Sequence, residues 1–312
     1  MRIATIIVKQ YNSTSKLKQL FLLFAISLVL ISSCTSQVGT QESPKFDAQR
    51  AFRDLEYQVE LGPRIFGSPA HEGVRLWVMS ILEESAWDVE NQSLNYRGQD
   101  LINIIAKREV GEDFPWVIIG AHYDSRIIAD KDPVLENRSL PVPGANDGAS
   151  GVAVLNELAR VIPADLPANI WLVYFDAEDN GSMPGGEWIL GSRAFVEYLE
   201  GIPDAVVIVD MVADQELKIF IEKNSDLNLV EEVWTVAENL GHSKVFIDQP
   251  KRRIIDDHLP FMQAGIAAVD IIDFDYPYWH TISDTVDKVS ADSLGIVGEV
   301  VLEWLMGNYG GN

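Results

Sequence analysis

Short apolar runs rich in β-branched residues alternate along the chain with segments of helical periodicity. The apolar runs have the length and composition of strands buried on both faces, and they span 101–106, 116–121, 170–175, 205–209, 217–221 and 266–272. Helical patterns predict helices over 72–86, 149–161, 186–200, 227–240 and 292–307. Strands that alternate with helices predict an α/β sandwich with a largely parallel sheet.

Polar residues follow several of these strands at the points where they end. In an open α/β sheet, the loops at the carboxyl ends of the strands form the ligand crevice. Acids and histidines come after four of the predicted strands. His122 and Asp124 follow the strand at 116–121, and Glu178 and Asp179 follow the strand at 170–175. Asp210 follows the strand at 205–209, and His280 comes after the strand at 266–272. The pattern therefore predicts one convergent site built from four strand ends.

The first 45 residues differ in character from the rest of the chain. An apolar run over 20–31 follows Lys16 and Lys18; it is short for a membrane span, which needs ~20 residues, but suits a signal peptide. It leads into "ISSC", which resembles the bacterial lipobox, where the cysteine is lipidated and becomes the new N-terminus. The alternative is an ordinary signal peptide followed by a chance cysteine. The expected organisation is a lipoprotein signal peptide over 1–33, a lipidated Cys34 with a polar tether over 34–45, and a single domain over 46–312.

The net charge and the cysteine content limit the kinds of partner and site that the protein can have, and the signal peptide indicates its cellular location. The 312 residues carry a formal net charge of −23, which repels phosphate backbones, so we expect no nucleic-acid binding. Cys34 is the only cysteine, which excludes a disulfide framework and a cysteine-based zinc site. The signal peptide predicts export to the bacterial cell envelope, with the lipid on Cys34 as the only membrane contact.

Three carboxylates crowd the stretch "FDAEDNG": Asp176, Glu178 and Asp179. A bound divalent cation is the simplest compensation for their repulsion, and mixed Asp/His ligation without thiolates suits zinc. The candidate ligands are Asp147, Asp179 and His280. Each has an alternative role, because Asp147 could cap the helix over 149–161, Asp179 could lie in a solvated loop and His280 could be a turn residue.

Several ordered motifs resemble a known family: "IIGAHYDSR", "PGANDGASGVAVLNELAR", "VYFDAEDNG", "DDHLPF" and "WHTISDT". Together they resemble the zinc-dependent M28 metallopeptidase clan, in the branch that holds the glutaminyl cyclases. The resemblance extends from about residue 61 to the C-terminus. It implies a three-layer sandwich around a central mixed, mostly parallel twisted sheet. It also implies that Asp147, Asp179 and His280 ligate zinc and that Glu178 is the general acid/base.

Two activities remain open within this clan. Aminopeptidases use two zinc ions, and His122 and Asp210 would match the additional ligands, with Asp147 bridging. Glutaminyl cyclases use one zinc, and the residue at the Asp210 position holds the α-amine of the substrate. Three features favour the cyclase: Trp279 precedes the ligand histidine, Asp256 opens "DDHLPF", and Trp188 follows "EDNG".

The cyclase interpretation implies conversion of the N-terminal glutamine of peptides or proteins to pyroglutamate, with release of ammonia. Glu178 would move the proton, Asp210 and Asp256 would form the acidic cluster that holds the amine, and Trp188 and Trp279 would wall the pocket. A third possibility is a non-catalytic lipoprotein that binds peptides or zinc. We expect the basic stretch 251–253 to be a solvated face and His258 to orient the adjacent loop.

Overall fold

A six-stranded mixed sheet forms the centre of the fold, in the order β1-β2-β4-β3-β5-β8. The computed structural model describes residues 44–183 and 185–311. The strands are β1 (Asp88–Tyr96), β2 (Gln99–Arg108), β3 (Trp116–His122), β4 (Asn169–Phe175), β5 (Ala205–Asp210), β6 (Ile219–Ile221), β7 (Phe246–Pro250) and β8 (Ala268–Ile272). Strands β3, β4, β5 and β8 run parallel, whereas β2 pairs antiparallel with both β1 and β4. The predicted largely parallel sheet is confirmed.

Helices cover both faces of this sheet. They are α1 (Ala48–Glu60), α2 (Pro69–Glu84), α3 (Ala149–Val161), α4 (Leu190–Glu197), α5 (Leu227–Asn239), α6 (His258–Gln263) and α7 (Ala291–Tyr309). Alternate side chains of each central strand point to opposite faces. Val117 and Ile119 of β3 join the core under α1, α2, α3, α5 and α7, whereas Ile118 packs with Phe195 of α4 and Phe261 of α6. The result is the expected three-layer sandwich.

Side-chain caps fix the starts of several helices. Ser68 accepts a hydrogen bond from the backbone N–H of His71 at the start of α2, where Pro69 occupies the first helical position. Asp226 and Ser290 cap α5 and α7 in the same way. Such caps satisfy amide groups that would otherwise lack a partner, and each is worth ~1 kcal/mol.

One predicted strand is placed differently by the structure. The run 217–221 was expected to be a strand buried on both faces, but only Ile219–Ile221 is extended, and it pairs with β7 in a separate two-stranded sheet. Phe220 is only partly buried there. The apolar residues of this run pack beside the central sheet rather than within it, so composition alone misplaced them.

Helix α3 is the most deeply buried helix of the site, and it carries the residues that follow Asp147. All its residues from Ala149 to Ala159 are buried. A side chain at Gly151 would collide with the backbone carbonyl of Val209 in β5, so glycine allows helix and strand to approach closely. This contact brings the start of α3 to the carboxyl end of β5.

Residues from Pro44 onward form one compact unit. Within the described residues, no helix combines the length and the apolar character that a membrane crossing requires. The expected signal peptide, the lipidation at Cys34 and nearly all of the tether lie outside the described residues, and they stay predictions.

Candidate active site

Four loops meet at the carboxyl ends of the parallel strands, as the sequence pattern predicts. His122 and Asp210 are the last residues of β3 and β5, Glu178 and Asp179 follow β4, and His280 follows β8. All five side chains are buried. The chain turns sharply here, because Ala177, Met211 and His280 all have positive φ angles of 46° to 56°. Non-glycine residues held in this left-handed region mark local backbone strain, which concentrates at functional sites.

Among the described residues, three groups of side chains have the spacing of metal ligands, and Asp147, Asp179 and His280 form the first, which we call group one. Nε2 of His280 lies 3.2 Å from Oδ1 of Asp179 and 3.6 Å from Oδ2 of Asp147. Zinc bonds of ~2.0–2.1 Å at tetrahedral angles place neighbouring donor atoms about 3.3 Å apart, so this spacing suits one ion. Moreover, Oδ2 of Asp147 and Oδ2 of Asp179 are buried and have no hydrogen-bond partner in the part of the chain that the structure describes. A buried carboxylate oxygen without a partner is energetically unfavourable, and a bound cation would compensate for the missing hydrogen bond.

His122, Asp147 and Asp210 form group two, which shares Asp147 with group one. Nε2 of His122 lies 3.1 Å from Oδ1 of Asp210 and 3.2 Å from Oδ1 of Asp147, and its Nδ1 lies 3.3 Å from Oδ1 of Asp124. Burial opposes protonation of the ring, but the surrounding carboxylates, Asp210 first, raise the pKa of His122 well above its usual value. His122 thus contacts three carboxylates of the acidic cluster, those of Asp124, Asp147 and Asp210.

Two further buried carboxylates hold the loops that carry the acids. Asp124 accepts hydrogen bonds from the backbone N–H groups of Glu178 and Asp179, each at 3.1 Å. Asp284 accepts from the N–H groups of Asn146 at 2.8 Å and Asp147 at 3.1 Å. A carboxylate that binds two successive amides fixes the direction of the side chains they precede. Asp124 and Asp284 therefore position three members of the acidic cluster.

The loop over 126–143 borders group one through Arg126 and Asp130. Oδ1 of Asp130 lies 3.2 Å from Nδ1 of His280, without the alignment of a hydrogen bond. Arg126 donates from Nη1 to Oδ1 of Asp179 at 3.2 Å and from Nε to Oδ1 of Asp130 at 2.6 Å. Carboxylates behind a ligating histidine orient its ring and raise its basicity. Asp130 has this position relative to His280.

Asp176 takes no part in the cluster, although it lies two residues from Glu178 in the sequence. One of its oxygens lies 2.9 Å from Nε2 of His71, and the other accepts a hydrogen bond from the backbone N–H of Ile102 at 2.8 Å. The crowding of three acids in "FDAEDNG" is thus relieved in two ways. Asp176 has partners of its own, and Asp179 faces Arg126 and His280.

A cavity of about 220 Å³ opens next to group one. It is smaller than the ~300–1,000 Å³ of pockets for drug-sized ligands, so it suits one or two amino-acid residues. Its lining includes every residue that the sequence predicts for catalysis or substrate binding, namely Glu178, Asp210, Asp256, Trp188 and Trp279. Both indoles pack near His280, whose ring centroid lies 3.9 Å from that of Trp279 and 5.9 Å from that of Trp188.

The acids of this cavity have unusual proton affinities. Burial and then the Asp179 carboxylate raise the pKa of Glu178 well above its usual value. Burial and then the Asp210 carboxylate raise the pKa of Asp256 to about 7. A carboxyl group whose pKa approaches the working pH can both accept and donate a proton, and a cation in group one would lower the pKa of its neighbours.

His258 is buried next to this cavity, where it faces two acids. Its Nε2 lies 3.0 Å from Glu222 and its Nδ1 lies 3.4 Å from Asp270. Asp256, His258 and Asp270 also form a third group with the spacing of metal ligands. Glu222 accepts a hydrogen bond from the backbone N–H of Ile254 at 2.9 Å, and thereby ties the loop before Asp256 to β6. The expected orienting role of His258 is compatible with this position.

Sequence reasoning assigned no function to Arg126, Asp130 and Asp284. Their contacts join residues far apart in the chain, such as Asp284 and Asn146, which no local pattern reveals. For two of them the sequence offered one signal, their position inside the motifs that resemble the M28 clan. Arg126 ends "IIGAHYDSR", and Asp284 lies in "WHTISDT".

Comparison with known proteins places these features in a family. Residues 103–305 match Peptidase family M28. The chain is 27% identical over 239 residues to aminopeptidase YwaD of Bacillus subtilis, a match that covers 66% of this chain but only 44% of that relative. It is 25% identical over 289 residues to the glutaminyl-peptide cyclotransferase of Drosophila melanogaster, covering 78% of each.

Among solved structures, the fold is similar to that of Bacteroides thetaiotaomicron glutaminyl cyclase bound to N-acetylhistamine. The TM-score is 0.79 at 31% sequence identity, and the match covers 85% of this chain and 99% of that one. The family match spans most of the chain and includes all the residues of groups one and two. The protein therefore belongs to peptidase family M28, whose members similar to it include both aminopeptidases and glutaminyl cyclases.

Proposed function

We propose that the protein is a zinc-dependent glutaminyl-peptide cyclotransferase that uses one zinc ion. It would convert the N-terminal glutamine of peptides or proteins to pyroglutamate and release ammonia. One observation carries the choice of a single ion. Among the described residues, one buried carboxylate oxygen each of Asp147 and Asp179 in group one lacks a hydrogen-bond partner, whereas His122 and Asp210 of group two are hydrogen-bonded to each other.

Asp147, Asp179 and His280 would hold the zinc ion. Two carboxylates and one imidazole with no thiolate are a donor set typical of catalytic zinc, which leaves one position open for substrate. When bound there, zinc supplies a Lewis acid for the γ-carbonyl of the glutamine side chain.

Glu178 would move the proton that the reaction transfers. The α-amine forms a bond to the γ-carbonyl carbon, and the bond from that carbon to the side-chain nitrogen breaks. Glu178 accepts the proton that the α-amine loses and donates it to the departing nitrogen, which leaves as ammonia. The raised pKa of Glu178 in its buried position supports this double role.

The remaining cavity residues would orient the substrate. Asp210 accepts a hydrogen bond from the α-amine, and Asp256, whose pKa of about 7 favours a shared proton, completes the acidic end of the pocket. Trp188 and Trp279 exclude water that would compete with the amine. Because nucleophile and electrophile belong to one residue, orientation alone supplies much of the rate enhancement.

A two-zinc aminopeptidase is the second candidate, and group two favours it. His122, Asp147 and Asp210 have the spacing of a second metal site. In that case Glu178 would activate water, and the second ion would bind the free amine of the substrate. However, a hydrogen bond of 3.1 Å joins His122 to Asp210, so these two side chains have partners without a second ion.

The reaction products separate the candidates. The purified protein is incubated with a peptide that begins with glutamine and with an unblocked peptide that begins with leucine. We expect ammonia from the first peptide, no cleavage of the second, and close to one zinc per chain by metal analysis. Free leucine together with two zinc ions per chain would establish the aminopeptidase instead. Peptide binding without any turnover would indicate a non-catalytic binding lipoprotein.

We also propose that the protein is exported and lipid-anchored. The basis is the sequence of residues 1–45, with a signal peptide over 1–33, lipidation of Cys34, a tether over 34–45 and the catalytic domain over 46–312. Cells that express the Cys34→Ser variant should release the protein from the membrane fraction and fail to attach labelled fatty acid. Retention in that fraction with unchanged labelling would contradict the anchor.

A further inference from the structure

The basic stretch 251–253 contains three cations with different environments. Lys251 and Arg252 both pair with the carboxylate of Asp275, Arg252 at 2.9 Å. Arg253 lines the cavity of the candidate active site. Within the described residues, no carboxylate lies within 4.0 Å of its guanidinium. Lys251 and Arg252 therefore share one carboxylate partner, whereas Arg253 has none within that distance.

Neutral groups hold Arg253 in place. Its Nη1 donates to Oδ1 of Asn224 at 2.8 Å and to the backbone carbonyl of Lys223 at 3.3 Å. Asn224 in turn donates from Nδ2 to the carbonyl of Ile254 at 3.0 Å. These contacts restrict the side chain without cancelling its charge. The guanidinium retains donors that are free for a carboxylate, which it binds in a planar, forked geometry.

Charge and burial differ between the two ends of the cavity. We call the inner end with the buried acids the floor and the outer end with the exposed residues the rim. Glu178 and Asp210 are buried, whereas Arg253 is exposed and Ile255 beside it is 56% exposed. A peptide whose α-amine reaches Asp210 would leave the cavity past this rim. Among the described residues, Arg253 is the only lysine or arginine in the lining of this cavity.

We propose that Arg253 is a specificity-determining residue that favours an acidic side chain in one of the two residues after the N-terminal glutamine. The proposal rests on the proposed cyclotransferase function and defines its preferred substrate class. Arg253 would bind the substrate carboxylate at the rim, away from the reacting atoms. The acids Glu178 and Asp210 repel such a carboxylate, but they are buried, whereas Arg253 is exposed where the substrate carboxylate would lie.

The expected preference is modest because the contact is exposed to solvent. Exposed ion pairs correspond to about a two- to fivefold change in an equilibrium or in kcat/KM. The measurement compares peptides with glutamate or its uncharged isostere glutamine at the second or third position. The wild-type protein should show a two- to fivefold higher kcat/KM for glutamate at one of these positions. In about 1 M salt, where the Debye length is ~3 Å, the preference should disappear.

Matched variants identify the residue responsible. The preference should disappear in Arg253→Gln and become a preference for lysine in Arg253→Glu. Arg252→Gln removes the same charge from the neighbouring position, which pairs with Asp275 and does not line this cavity, and should keep the wild-type ratio. Because all three substitutions are at exposed positions, we expect each variant to fold.

Two results would overturn the inference. A ratio close to one at both positions in the wild-type protein, or a ratio that survives in Arg253→Gln, would show that Arg253 does not select substrates. Ammonia release from the uncharged peptide by the wild-type protein tests the proposed function separately. If no peptide releases ammonia, the function and the inference fail together; if release occurs without charge dependence, only the inference fails.

Discussion

Replacement of Asp124 by asparagine tests whether a buried carboxylate holds the acidic loop of the active site. Asp124 is fully buried and accepts two backbone hydrogen bonds, from Glu178 and Asp179, at 3.1 Å each. Burial opposes its charge, but His122 and the backbone amides keep its pKa below the usual value, so the ionised form makes these bonds. Asparagine can accept only one of them and directs its amide group at the other donor.

The expected decrease in the free energy of unfolding follows from the number of hydrogen bonds that are lost. One lost hydrogen bond to a charged group costs ~1.5–3 kcal/mol, and one buried N–H without a partner costs a further ~1–3 kcal/mol. The free energy of unfolding should therefore fall by about 2.5–6 kcal/mol. For a domain of this size, each kcal/mol lowers Tm by ~2–4 °C, so we expect a decrease of about 5–24 °C.

Thermal unfolding of the zinc-free protein, followed by circular dichroism, measures this decrease. Asp113→Asn is the matched control, because Asp113 is exposed in a turn and should change Tm little. A decrease in Asp124→Asn no larger than in the control would refute the anchoring role. The same variant should also lose activity, since the loop that carries Glu178 would no longer be fixed.

Three further predictions concern the metal and the proton. Glu178→Gln should lower kcat by ~10²–10⁴-fold or more while zinc content stays unchanged, and activity within tenfold of wild type would remove Glu178 from the mechanism. Asp130→Asn should weaken zinc binding ~10–100-fold in a chelator competition assay, because His280 loses the carboxylate behind its ring; an unchanged Kd would contradict that role. Burial opposes the charged ring of His280, but Asp179 and Asp130 raise its pKa to about 9 in the metal-free protein, so zinc must displace a proton below that pH. Zinc affinity should therefore increase as pH rises from 6 to about 9 and then level off, whereas a flat profile would show that His280 is not a ligand.

The parallel half of the sheet was predictable because its strands are buried on both faces. Strands β3, β4, β5 and β8 are short runs of valine, isoleucine and leucine, a pattern that few other structures produce. Strand β1 was missed because it is an edge strand whose residues, "DVENQSLNY", are mostly exposed and polar. Helix α1 was missed although Ala51, Leu55 and Gln58 form a buried stripe at helical spacing, so its pattern was readable.

In the active site, likewise, local sequence patterns identified the candidate ligands, whereas the residues that orient them depend on contacts between distant parts of the chain. Asp147, Asp179 and His280 were identifiable because strand ends converge and because the surrounding motifs resemble the M28 clan. The residues that orient them were not, since Asp284 binds an amide 138 positions away and Asp130 faces His280 across 150 positions of sequence. Such contacts form only in the complete fold, and no periodic pattern in the sequence predicts them.

The wide spacing of the candidate ligands also governs when the protein can acquire its ion. Asp147 and His280 come from connections on either side of β4, β5 and β8, so they meet only after these strands have paired. A partly synthesised or unfolded chain offers isolated side chains with little affinity for a divalent ion. Uptake of the metal is consequently a late event in maturation, and a chain that retains zinc has completed its sheet.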